Sequence, residues 1–122
     1  MARTVGNTRG AKARADKYFS LIIRSRGRCE SCGSQQFLQC AHVVSRRFSN
    51  TRCDEGNAYC FCARCHHYYT DRPVAFGIWV VEKMGREDYY RLQKRSQITT
   101  KVDWFTLAAE LKARWEQIEA AA

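Results

Sequence analysis

The chain lacks any long apolar run. Its longest, such as Phe76 to Val81, falls far short of the ~20 residues that cross a bilayer, so no membrane association is expected. It also lacks an apolar N-terminal segment: residues 1–17 are polar and basic, unlike a secretion signal, and an intracellular, cytoplasmic protein is the expectation. Internal repeats and low-complexity stretches are missing. Acidic residues are few, 12 against 21 lysines and arginines, which gives a formal net charge of +9. Histidine is scarcer still, with three in the chain, and Pro73 is the only proline.

What is present narrows the class. A hydrophobic content of 45% rules out wholesale disorder, and 122 residues make one domain with a modest core. The basic surplus favours a polyanionic partner, nucleic acid first, because neutralising phosphates releases condensed counterions. Charge by itself does not identify that partner; a site must. Seven cysteines without an export signal argue for metal rather than disulfides, since a reducing compartment keeps thiols free and an odd count leaves one unpaired.

Residues 1–10 have the composition of a mobile basic arm. The segment "AKARADKYFSLIIRSRG" follows, with Ala15, Tyr18, Phe19, Ile22 and Ile23 at helical spacing and Gly27 placed as a C-terminal cap. Its basic face is either solvated or set against phosphates. "SQQFLQCAHVV" has the residues of a short hairpin, "RRFSNTRCDEG" those of a loop, and "NAYCFC" those of a second short strand. "CHHYYTDR" starts a helix; Pro73 marks a break or a fresh helix, which ends at Gly85. "REDYYRLQKRS" has acids early and bases late, matching the helix macrodipole. Asp103 is an N-cap for the last helix, in which Trp104, Leu107, Ala108, Leu111, Trp115 and Ile118 form one apolar stripe. Over residues 96–122 that stripe is either core or the face of a homodimer.

"CESC" (Cys29, Cys32) and "CARC" (Cys62, Cys65) are two C-x2-C knuckles, the spacing of a structural zinc site closed by four thiolates. In so small a domain the metal's binding energy is largely folding energy. Cys40, Cys53 and Cys60 lack a second paired spacing and behave as small buried hydrophobes. Between and just after the knuckles stand His42, Asn57 and His66. A neutral imidazole is a suitable base near pH 7. Arg46, Arg47 and Arg52 flank His42, either as a solvated loop or as clamps on phosphates to either side of a cut.

The order His, Asn, C-x2-C-His resembles the HNH endonucleases of the ββα-metal (His-Me finger) class. More narrowly, "ADKYFSLIIRSRGRCESCGS" and "AHVVSRRFSNTRCDEGNAYCFCARC" are similar to the phage NinG/Rap recombination family. The likeness covers roughly residues 11–85, and His42, Arg46, Arg47, Thr51, Arg52, Asp54, Asn57, Cys62 and Cys65 fall on the family pattern. It implies an α+β fold: a zinc-stapled ββα-metal core, within residues 11–95, with a basic helix before it and helices after it. It implies a DNA endonuclease in a bacterial host cell, structure-selective for branched or double-stranded DNA. His42 would be the base, Asn57 the brace of its loop, and His66 the ligand of one catalytic divalent metal, Mg or Mn.

Two positions depart from the class. Ala41 stands where many members have an acidic metal ligand, and Thr70 where some have a further histidine. Asp54 is then the candidate second ligand, or else it pairs with Arg52 or caps a turn; Asp71 and His67 are weaker candidates. The departures leave open a second function, a non-catalytic zinc-dependent DNA-binding adaptor or inhibitor on the same scaffold.

Overall fold

Alanines and β-branched residues on one stripe decide the first element. In the computed structural model, which describes residues 8–122, helix α1 (Thr8–Arg24) buries Ala11, Ala15, Phe19, Ile22 and Ile23. Residues 8–10, expected in the basic arm, form its first turn; residues 1–7 lie outside the described residues. Gly27, at φ +82°, takes the left-handed turn that lets the chain leave the helix for the first knuckle.

The sheet has two antiparallel strands, β1 (Leu38–His42) and β2 (Ala58–Cys62), in the register Leu38↔Cys62, Cys40↔Cys60, His42↔Ala58. The stretch from Ser34 to Val44 does not fold back on itself, contrary to the hairpin expected there. It supplies β1 alone, and β1 pairs across the arginine loop with "AYCFC". The strand β2 is buried along its whole length. Alternation along it sends Ala58 and Cys60 toward α1, while Tyr59 and Phe61 enter an aromatic cluster with Tyr69, Phe76 and Trp79. One five-residue strand therefore belongs to two cores.

Helix α2 (Ala63–Thr70) starts inside the second knuckle. Pro73 disfavours a helical Arg72 before it, so the chain breaks and α3 (Pro73–Met84) begins at the proline. Gly85, at φ +92°, separates α3 from α4 (Arg86–Ser96). Asp103 caps α5 (Trp104–Ala121) by accepting from the backbone N–H of Phe105 and Thr106. The apolar stripe of α5 is core: Trp104, Ala108 and Leu111 are buried in the same cluster as α1, with Leu107, Trp115 and Ile118 packed against it. None of the described helices is long and apolar enough to cross a membrane.

Phe61 is fully buried and contacts four aromatic rings, so its loss opens a cavity that the two-faced strand cannot close. Phe61→Ala should cost about 3–5 kcal/mol in denaturant unfolding, whereas Val74→Ala, at an exposed site on α3, should stay within about 0.5 kcal/mol.

Candidate metal centre and histidine cleft

The Sγ atoms of Cys29, Cys32, Cys62 and Cys65 lie within 4.8 Å of one another, the one such group of ligands among the described residues. A tetrahedral zinc with Zn–S bonds of about 2.3 Å sets its sulfurs about 3.8 Å apart. Cys32 and Cys62 are 3.7 Å apart, so the four cysteines can hold a zinc ion. Their backbone is shaped for it. Gly33, at φ +84°, turns the first knuckle, Gly33 N–H donates to Cys29 O, and Cys65 N–H donates to Cys62 Sγ. Burial raises the Cys29 thiol, but hydrogen bonds from the backbone of Cys32, Cys62 and Ser31 outweigh it and bring the group to about 6. Cys65 is pushed up by burial to about 12.

His42, at the end of β1, faces α1 and rests on Phe19, ring centroids 5.5 Å apart. Its Nε2 lies 2.8 Å from the carbonyl oxygen of Arg52. A carbonyl only accepts, so Nε2 carries the hydrogen and Nδ1 keeps the lone pair in the neutral ring. Burial lowers the pKa of His42, and the charges of Arg46 and Arg52 add to that; the Arg52 carbonyl and Asp16 oppose it.

Asn57 is fully buried. Its Oδ1 accepts from Val44 N–H, and its Nδ2 donates to Val44 O and Thr51 O, tying both ends of the loop that follows His42. His66 lies on α2, where Nδ1 donates to Gln39 Oε1 at 2.7 Å and leaves Nε2 as an acceptor. Burial lowers the pKa of His66 too. His42 and His66 line one open cleft of about 600 Å³ with Asp16, Arg24, Gln39 and Arg46.

Other candidates lie elsewhere. Asp54 does not line this cleft: Oδ1 accepts from Gly56 N–H and Oδ2 from Arg95 Nε. It caps a turn, and its ion pair is with Arg95, not Arg52. Arg52 is drawn inward, its Nε and Nη2 donating to the two oxygens of Asp16 at 2.8 and 2.6 Å and its Nη1 to Arg46 O. That guanidinium is already neutralised and mostly buried, so it is not offered to a phosphate. Arg46 and Arg47 remain exposed, Arg46 on the cleft and Arg47 over the Phe48 ring. His67 and Asp71 pair with each other on the exposed side of α2. Thr70 donates to His66 O.

Ala41 points away from the cleft. It pairs with Tyr59 and sits in the aromatic cluster at 2% exposure, where a ligating carboxylate would be buried among rings. The carboxylate in the cleft is instead Asp16, and Arg24 is a further cation there. The one available signal for Asp16 was its being the only acid on a helix with five basic residues, Arg9, Lys12, Arg14, Lys17 and Arg24. Comparison of the chain with models of protein families, with curated proteins and with solved structures finds no match.

Cys32→Ser should reduce bound zinc from one ion per chain toward none, by elemental analysis, and lower the melting temperature. Cys53→Ser, outside the cluster, should keep the full zinc content.

Proposed function

We propose that the protein is a metal-dependent DNA endonuclease that hydrolyses phosphodiester bonds, built on a ββα-metal core of the NinG/Rap kind. The observation that favours this reading most is the state of His42: its Nε2–H is held by a backbone carbonyl, which leaves the Nδ1 lone pair, and its ring lines one cleft with His66, whose Nε2 is likewise left as an acceptor. An antiparallel strand pair followed directly by a helix carries the two histidines. In this reading His42 Nδ1 removes a proton from a water, the hydroxide forms a new P–O bond as the P–O bond to the leaving sugar oxygen breaks, and that oxygen takes a proton from solvent. Asn57 braces the loop whose Arg52 carbonyl orients the base. Arg46, Arg47 and Arg24 hold phosphates, which positions the backbone without reading sequence.

His66 Nε2 would hold the divalent metal, Mg or Mn, whose chemistry is to offset charge on the phosphate and the leaving oxygen. A single imidazole suits manganese better than magnesium. The remaining ligands would come from water and the DNA phosphate, since the described residues gather no second cluster of three protein ligands. That sparse ligand set also favours a second reading, a zinc-dependent DNA-binding adaptor or inhibitor without cleavage.

With manganese or magnesium, wild-type protein should nick DNA and His42→Ala should lose about 10²-fold or more in rate with zinc retained. Equal inactivity of both on duplex, flap and four-way DNA would leave the adaptor reading. The base must be neutral, and His42 titrates below its ordinary 6.5, so cleavage should be level near pH 7 and fall only as pH drops below 6.5.

Asp16→Asn should lower kcat more than it raises KM, because it loosens the anchoring of Arg52, whose backbone carbonyl orients His42. A pH–rate profile with a displaced acid limb would separate that positioning effect from simple loss of fold.

A further inference from the structure

Phe37 combines two properties that folding alone disfavours. Its φ is +54°, and it is the one non-glycine residue among those described with positive φ, a region a bulky side chain rarely enters. Its ring is 79% exposed, the most exposed large apolar side chain of the described residues. The ring therefore gains almost nothing from burial while its backbone is held off its preferred conformation. Strain of this kind persists only where the surroundings impose it, and they do here. Phe37 O accepts from Ala63 N–H, at the first residue of the helix that carries His66, and β1 starts at the next residue.

The position of the ring gives this presentation a meaning. Leu38, Gln39 and Cys40, next along the strand, line the cleft with His42 and His66, and Gln39 is the residue that holds His66. The cleft contributes Arg24 and Arg46, and the chain carries net charge +9, so the surface beside the ring is suited to a phosphate backbone rather than to an acidic-poor protein face. An exposed aromatic ring on a fixed backbone, one residue before that surface, is suited to stack on a base that has lost its neighbour, or to wedge into a distorted step.

The geometry points to Phe37 as a wedge that stacks on an unpaired or branch-point base and so makes the enzyme select distorted DNA over regular duplex. This rests on the nuclease reading and assigns the selectivity to one residue. The five residue steps from Phe37 along β1 to His42 span about 17 Å. That length matches about five nucleotide steps at ~3.4 Å each along one strand, which places the cut within about five nucleotides of the distortion.

The test uses the full-length zinc-loaded protein and two DNA probes, a linear duplex and a four-way junction carrying 2-aminopurine at the branch point. Binding is read without added magnesium or manganese, so that it does not depend on cleavage. Wild type and Phe37→Trp should change 2-aminopurine emission on the junction and prefer it to duplex. Phe37→Ala should lose that change and about tenfold of the preference, as expected for one lost base–aromatic stack. Phe37→Gly, which relieves the backbone, should match or exceed the melting temperature of wild type while losing the same preference. Stacking and preference unchanged in Phe37→Ala would overturn the wedge, as would a wild type that does not distinguish the probes. A wild type that stacks on the junction but never cuts it, even with manganese, would uphold the wedge and overturn the nuclease reading.

Discussion

The buried amide of Asn57 is the constraint on which the site depends. Between β1 and β2 the chain makes a long excursion rich in arginine, serine and asparagine, with little apolar surface to hold it. Asn57, at the end of that excursion, closes it from within, meeting Val44 at its start and Thr51 in its middle. Since a buried amide left without partners costs about 1–3 kcal/mol, three satisfied bonds make the observed loop path much preferred to its alternatives. The Arg52 carbonyl follows Thr51 directly, so the same amide fixes the acceptor that sets the tautomer of His42.

A second anchor acts from the helix side. Asp16 and Phe19 lie on successive turns of α1; the first grips the Arg52 guanidinium and the second supports the His42 ring. The buried face of α1 is in turn covered by α5. The C-terminal helix, remote in sequence from every residue of the cleft, thereby steadies the platform on which the histidine rests. Neutralising Arg52 with Asp16 also leaves the cations that face the cleft, Arg24 and Arg46, on its rim, where they are hydrated and able to exchange partners.

Local pattern made much of this legible. The stripe of α1, the break at Pro73, the left-handed Gly27 and Gly85, and the Asp103 cap each depend on neighbours a few residues away, and each is where the sequence places it. The paired C-x2-C spacing likewise announced a four-cysteine cluster. What periodicity could not supply was pairing across distance. Asp54 was the acid weighed as a partner for Arg52; only the fold brings Asp16 to it, from a helix 36 residues away. The apparent hairpin around Ser34 to Val44 failed for a related reason, since strand-forming residues do not say which strand they will meet. Phe37 was counted among strand formers, and nothing in its neighbours foretold an exposed ring on a left-handed backbone.

The setting of Ala41 has an evolutionary consequence. Because that position faces Tyr59 in an aromatic interior, an acidic residue cannot be introduced there by one substitution without burying a charge among rings. Neighbours such as Trp79 and Phe76 would have to shrink or turn polar first, and each such step weakens the cluster before any benefit arrives. The alanine therefore acts as a ratchet. Any carboxylate added to the cleft would have to come from the side of the sheet that faces α1.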